Sequence, residues 1–338
     1  MRKAPQFLVA VAVSALLLWF ATRGTDWTAV GAALANARPG WIVAVVVASV
    51  ASVYVRALRW RILLRPVGDV PVQPAFSATA IGFGASAVLP FRVGEIVRPL
   101  LLARHTRVPV AAALSSVFLE RLLDVLLIVA CFLLLSLVYP IPDELRVVAW
   151  VAAPAVGLGF AVLVVVARWR ARAEAWFERL VARLPPRIAG PLGPLLASFI
   201  DGLGALRDLR TVGTVIAYSV YIWGLITTTF LFAFLAVGIV VPFVPAALAT
   251  VVSVAFTVSV PQLPGFVGGW QTGCKVALEG IFRVDHNLAV AYSLLTWLTQ
   301  MAVNIGTAGF FLGREELSIR QMLRLAERAQ ETPGMEAK

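Results

Sequence analysis

An uncharged run of 64 residues, Thr211–Cys274, limits this chain more than any other feature. A bilayer core of about 30 Å takes roughly 20 apolar helical residues to cross. The run is too long for one crossing, so it must turn inside or at the membrane. Ala4–Thr22, Pro39–Val55, Val70–Phe91, Val125–Pro142, Val147–Ala167 and His286–Gly313 are also free of charge. Only 14% of the residues are charged and 60% are hydrophobic, whereas soluble proteins carry about 25% charged residues. The expected fold is all-α and integral to the membrane. It has about six transmembrane helices plus two oppositely oriented re-entrant helical hairpins over residues 1–313, then a polar cytoplasmic tail, 314–338.

The net charge of +11 would suggest nucleic acid in a soluble protein. Here the arginines lie beside apolar runs and read as topology determinants, so nucleic acid is not an expected partner. Cys131 and Cys274 sit in apolar segments without CxxC or His neighbours and read as packing residues. The sequence contains no Walker A, HExxH or GxSxG pattern, and His105 and His286 stand alone near interfaces. No cofactor, metal or catalytic residue is expected. Met1–Thr22 resembles a signal peptide, but its long apolar region and poor cleavage site favour an uncleaved first helix.

Along the chain, a helix over Pro5–Thr22 precedes a polar loop, Arg23–Pro39, with Trp27 and Trp41 suited to the interface. A second helix, Trp41–Leu64, ends among arginines; Arg56 and Arg59 share a face and are expected to snorkel toward headgroups. Pro90 and Gly94 divide the next segment into half-helices, Pro74–Leu89 and Glu95–Ala103. A helix over Pro109–Tyr139, an acidic turn at Pro140–Glu144 and a crossing over Val147–Ala167 follow. Arg168–Arg210 reads as a cytoplasmic amphipathic segment in two pieces: one carries Trp176, Leu180 and Leu184 at helical spacing and ends at Pro185-Pro186, the other is Leu192–Leu206. Thr211–Val237 crosses, Pro245–Val260 and Trp270–Phe282 flank a second break at Pro261–Gly265, and His286–Leu312 crosses last.

With a cytoplasmic N-terminus and both broken segments re-entrant, Arg23, Arg38, Arg146 and Arg283 fall outside. Arg92, Arg98, Arg121 and Lys275 lie in or near the membrane, and the remaining 21 of 29 Lys and Arg are cytoplasmic, as the positive-inside bias asks. The hairpins then enter from opposite sides. Their sequences echo each other at an offset of 174: Leu89, Pro90, Val93 and Gly94 against Leu263, Pro264, Val267 and Gly268. An inverted repeat of discontinuous helices is how transporters build a midplane site.

Charges inside a membrane cost about 2.5–3.5 kcal/mol each on insertion scales, so they face partners or water-filled cavities. Three groups occur: Arg92, Glu95 and Arg98 at the first break; Glu120, Arg121 and Asp124 on the following helix; Lys275 and Glu279 after the second. A re-entrant tip exposes helix-end N–H groups, and guanidinium forks match phosphate oxygens. Arg92 and Arg98 could receive a phosphate while Glu95, Glu120 and Asp124 orient them or exchange protons. The other reading is that these charges only pair with one another and hold the hairpins in place, and for Lys275 and Glu279 an ordinary helix-surface pair.

Pro90-Phe91-Arg92-Val93-Gly94-Glu95-Ile96-Val97-Arg98, then Glu120-Arg121-Leu122-Leu123-Asp124, resembles the flippase-like membrane region of the lysylphosphatidylglycerol synthetase family. The family's P-x-R-x-G-E-x-x-R and E-R-x-x-D patterns are matched at each charged position. Pro264, Gly265, Gly268 and Gly269 resemble its second, glycine-rich motif, with Trp270-Gln271 where the family has an acidic residue. The resemblance implies a lipid-handling membrane protein without the family's separate synthetase domain. The expected function is a lipid translocase for an anionic or polyprenyl- or hopanoid-type lipid in the cell membrane. The alternatives are a non-catalytic scaffold of a lipid-synthesis complex and a membrane enzyme acting on a lipid phosphate. The expected partner is a lipid with an anionic headgroup; a second copy or lipid-synthesis enzymes are the protein partners such roles allow.

Overall fold

The computed structural model describes residues 3–89, 93–139, 143–181, 197–260 and 262–315, and among these it is helical, without strands. In chain order the helices are α1 (Lys3–Thr22), α2 (Trp27–Ala35), α3 (Pro39–Leu64), α4 (Val72–Val88), α5 (Gly94–His105), α6 (Val110–Val138), α7 (Asp143–Arg168), α8 (Arg170–Val181) and α9 (197–202). A 3-10 turn, Leu203–Arg207, leads into α10 (Leu209–Val237), α11 (Phe243–Ser259), α12 (Gly269–Lys275), a π-helical turn (Val276–Ile281) and α13 (His286–Arg314).

Local chemistry sets the ends of these helices. Asp26, Asp208 and Asp285 cap α2, α10 and α13 by accepting from backbone N–H groups of the first turn. The hydroxyl and amide of Thr28 hold the exposed Asp26 carboxyl below its ordinary range, and Thr211 does the same for Asp208. Pro39 opens α3 at a position that needs no donor. Gly238 closes α10 in the left-handed conformation at φ 81°.

Among the described residues, three helices are long and apolar enough to cross a membrane: Pro39–Leu64, Leu209–Val237 and His286–Arg314. A fourth candidate is the pair Leu8–Thr22 and Trp27–Ala35, bent by 81°. Leu8, Leu16, Val43, Val47, Leu134, Leu137 and Val220 stand exposed. An apolar exterior of this kind belongs in lipid, and the protein is an integral membrane protein with several apolar helices.

α3 and α10 form the central pair and run antiparallel. The Arg38 amide donates to Ala236 O at one end, Arg59 reaches Ser219 beyond the middle, and Ile62 and Leu63 pack with Val215 near the other. Around them the chain repeats. α3, α4, α5 and α6 are followed 170 to 176 residues later by α10, α11, α12 and α13. α4 packs on α13 and α11 packs on α6, so exchanging the two halves preserves the pattern of neighbours. With the central pair antiparallel, the halves run in opposite directions, which is the inverted arrangement expected from the motif echo.

Each half contains a helical hairpin. In the first, α5 folds back on α4 so closely that a Cβ on Gly94 would overlap the Gly82 carbonyl and crowd Ser86. In the second, α12 folds back on α11 after a 3-10 turn at Pro264–Phe266. The tips meet: Gly265 lies against the carbonyl of Ala87, and Trp297 Nε1 donates to Gly265 O at 2.7 Å.

Several expectations are corrected. The loop expected over Arg23–Pro39 contains α2, because the Asp26 cap and an alanine-rich sequence favour helix. Asp143 and Glu144 begin α7 rather than sitting in a turn, while 140–142 lie outside the described residues. Of the amphipathic segment, Trp169 and Trp176 are exposed on and beside α8, and 182–196, with Leu184, Pro185 and Pro186, lie outside the described residues. Its second piece is not a surface helix: Ile200, Leu203 and Leu206 are buried, and Arg207 Nε donates to Ala167 O at 2.9 Å. The tail beyond residue 315 also lies outside the described residues.

The Gly94–Gly82 approach gives a direct test of the first hairpin. Gly94→Ala should destabilise the protein by about 1–3 kcal/mol through overpacking. Gly306→Ala, in a helix with open space around it, should leave it unchanged or slightly stabilised. Thermal unfolding in detergent reads both; equal melting temperatures would mean that the hairpin is not closed at Gly94.

Candidate functional site

The site is built where α3, α5, α6 and α10 meet. On α6, Glu120 and Asp124 are one turn apart and face α3; both are buried. Arg59 of α3 lies between them with no exposed side-chain surface. Its Nη2 is 2.9 Å from Glu120 Oε1, and its Nη1 is 2.8 Å from both Asp124 Oδ1 and Ser219 Oγ on α10. Arg56, one turn earlier, reaches Asp124 Oδ2 at 3.2 Å, and Trp223 Nε1 donates to Asp124 Oδ1 at 3.4 Å.

Arg98 enters from α5. Its Nη1 donates to Glu120 Oε2 at 3.0 Å, and its guanidinium lies over the ring of Trp60, 3.9 Å from the centroid. Ser116 in turn fixes that ring by accepting from Trp60 Nε1 at 2.8 Å. Toward the surface, Arg121 Nε is 3.1 Å from Glu95 Oε1, and each of these side chains is about one-third exposed (34% and 30%). This pair joins α5 to α6.

Glu95, Arg98 and Arg121 border a narrow cleft between α4, α5 and α6, lined also by Thr79, Phe83 and Ser86. Three features make it suitable for an anion. Arg98 Nε and Nη2 are buried donors with no hydrogen-bond partner among the described residues. α5 begins at Val93–Gly94 without a side-chain hydrogen bond from its N-cap residue, and the positive end of its helix dipole lies there. Finally, four arginines (Arg56, Arg59, Arg98, Arg121) stand against three carboxylates (Glu95, Glu120, Asp124).

Glu95, Arg98, Glu120, Arg121 and Asp124 are thus brought together as the sequence suggests, while Arg92 lies outside the described residues. Arg56 and Arg59 do not snorkel. They turn inward because two carboxylates one helical turn apart on α6 offer a fully buried guanidinium both of its partners. Sequence reasoning missed them as site residues, although their own i,i+3 spacing matches the i,i+4 acids of α6. Their presence also removes the charge neutrality that six motif residues alone would have.

Pro264, Gly265, Gly268 and Gly269 lie at the second tip and are not among the residues that line the cleft. There the helix end is filled from within: Gln271 Oε1 accepts from Gly268 N at 2.8 Å and Gln262 Oε1 from Gly269 N at 3.0 Å. Lys275 and Glu279 form their expected pair at 3.4 Å, but at the far end of the hairpin and not at the cleft. His286 is not alone: its Nδ1 lies 2.9 Å from Glu279 Oε2 and its Nε2 3.0 Å from Thr25 Oγ1. His105 likewise lies 3.5 Å from Glu315. Cys274 is buried, Cys131 partly so, and both are free thiols. Among the described residues no group of acids, histidines and cysteines is placed to hold a metal ion.

The family model described as the lysylphosphatidylglycerol synthase TM region matches residues 7–306. The chain belongs to this family. The match spans both hairpins and the seven charged residues described above. No curated protein and no solved structure matches.

The two central arginines should differ in stability. Arg59→Ala removes the one guanidinium shared by Glu120, Asp124 and Ser219, leaving Glu120 to Arg98 and Asp124 to Arg56, and should lower the yield of folded protein more than Arg98→Ala does. Arg98→Ala leaves Glu120 paired with Arg59 and should fold. Yield of monodisperse protein by size-exclusion chromatography distinguishes them; equal yields would show that Arg59 is not the strut.

Proposed function

We propose that this protein is a lipid translocase of the cell membrane, with the cleft between α4, α5 and α6 receiving an anionic headgroup. What carries this reading is Arg98: two buried N–H donors lacking a partner among the described residues line a cleft whose charged groups sum to an excess of positive charge. A phosphate oxygen supplies the acceptor, and its charge offsets the excess. Arg121 at the mouth engages the same headgroup when it leaves Glu95. Membership in a family of lipid-linked membrane regions agrees with this use.

In this reading six segments cross the membrane, the hairpins are re-entrant from opposite sides, and both termini with α8 are cytoplasmic. Alternating access then follows from rearranging the two inverted halves around a site near the midplane.

Two measurements test the proposal. In liposomes at matched protein amounts, Arg98→Ala and Arg121→Ala should slow translocation of a fluorescent anionic phospholipid at least tenfold, while Lys275→Ala changes it less than twofold. Wild-type rates in both arginine variants would refute the headgroup site. Binding without movement would favour a scaffold, and chemical turnover of the lipid an enzyme. For topology, Glu178→Cys in a background lacking Cys131 and Cys274 should react with an impermeant thiol reagent only after cells are permeabilised. Labelling in intact cells would place α8 outside.

A further inference from the structure

An inverted repeat offers two equivalent hairpins, and the expectation from symmetry is two equivalent sites or two equivalent moving parts. The second hairpin here is built as neither. Its helix end is closed by the chain's own carboxamides, since Gln271 and Gln262 accept from the amides of Gly268 and Gly269. Gln262 is itself held by donating to Thr257 O at 2.9 Å and Val260 O at 3.1 Å, so it ties the tip back to α11. The corresponding end of α5 has no side-chain cap.

The second hairpin is also fastened to helices outside it. Ser14 Oγ on α1 accepts from Leu263 N at 2.8 Å, and Thr272 Oγ1 donates to Leu17 O at 2.8 Å. Gly268 lies flat against the backbone of α1: a Cβ there would come within 2.5 Å of Ser14 O and 2.9 Å of Leu18 N. Its φ of 89° already disfavours any side chain. On the other flank Trp270 Nε1 donates to Thr296 Oγ1 at 3.0 Å and Trp297 Nε1 to Gly265 O at 2.7 Å. In an apolar surrounding each of these bonds resists breaking, because water is not there to replace the lost partner.

The first hairpin is attached differently. Among the described residues its polar links to other elements include Arg98–Glu120 and Glu95–Arg121, two ion pairs whose Glu95, Arg98 and Arg121 line the cleft itself, and His105–Glu315 at the far end of α5. An anion arriving there competes with the carboxylates for the same guanidinium groups. Ligand binding therefore acts directly on the bonds that hold α5 to α6, and on none of those that hold the second hairpin.

We infer that the second hairpin is a fixed post, clamped by α1 and sealed by Gln262 and Gln271, and that ligand binding and the movement it triggers belong to the first hairpin, α4 and α5, alone. This rests on the translocase reading only for what the movement accomplishes. The division between post and moving part stands on the hydrogen bonds.

Two experiments test it. Hydrogen–deuterium exchange on the unmodified chain in nanodiscs should show amides of 263–275 exchanging at least tenfold more slowly than those of 94–105. Adding anionic phospholipid should change exchange in the second set and not in the first. Equal or reversed protection, or a ligand response confined to 263–275, overturns the proposal whether or not the protein moves lipid. The second experiment uses paired cysteines in a background lacking Cys131 and Cys274. A Ser14→Cys, Leu263→Cys disulfide should leave lipid translocation within twofold of the reduced protein. A cleavable thiol linker between Phe76→Cys of α4 and Phe311→Cys of α13, whose rings are 5.0 Å apart, should slow it at least tenfold, with recovery on reduction. Loss of transport on closing the first pair, or none on closing the second, refutes the inference. If neither reduced variant moves lipid although wild type does, the exchange measurement decides. If wild type moves no lipid, the translocase reading fails and the exchange measurement still decides between post and moving part.

Discussion

Everything at the centre of this protein depends on one guanidinium. Arg59 has no exposed side-chain surface and satisfies Glu120, Asp124 and Ser219 at once, so it joins three long helices, α3, α6 and α10, at a single point. A charge in this position is tolerable only with its partners in place, because removing one charge of a buried pair strands the other. The same constraint places Arg98. Glu120 already uses one oxygen for Arg59, and its second oxygen accepts from Arg98. The guanidinium of Arg98 thereby comes to rest over Trp60 with its remaining donors at the cleft. The polar centre is a chain of dependencies in which a structural ion pair positions a receptive one.

The inverted repeat gives this centre an asymmetric setting. At the offset of 174 that aligns the motifs, Arg59, Trp60, Glu120, Arg121 and Asp124 correspond to Ala233, Phe234, Leu294, Leu295 and Leu298. In the second half rings take the place of charges: Phe230 stacks on Trp270 and Phe234 on Tyr292, whose hydroxyl donates to Phe230 O at 2.8 Å. Two halves with one backbone plan thus solve the same packing problem in two ways. One gains a polar cleft at the cost of charges that must be satisfied, and the other gains dense apolar packing that requires no ligand.

Much of this was legible before any coordinates. The hairpin break at Pro90 and Gly94 was marked by residues that cannot continue a helix or that permit close approach, and the half-helices differ from their expected bounds by two residues or fewer. The acids of α6 were visible as an i,i+4 pair in an otherwise apolar helix. The partnership of Arg56 and Arg59 with those acids was not legible, because it joins residues more than 60 positions apart, and an arginine near a helix end satisfies headgroups or a buried carboxylate equally well. α2 was missed because a nine-residue helix between two longer ones leaves no periodic signal of membrane length.

Read alone, the sequence specifies a helical membrane protein with two interrupted segments in related positions. Hydrophobic length and helix-breaking residues are local properties, and the bilayer enforces them without reference to the rest of the chain. Tertiary structure alone decided which charges are structural and which line a cleft. It also decided that the second motif is sealed by Gln262, Gln271 and α1. Each of those outcomes depends on which group comes within about 3 Å of which other, and in a low-dielectric interior that proximity determines whether a charge is a strut, a receptor or an unaffordable burden.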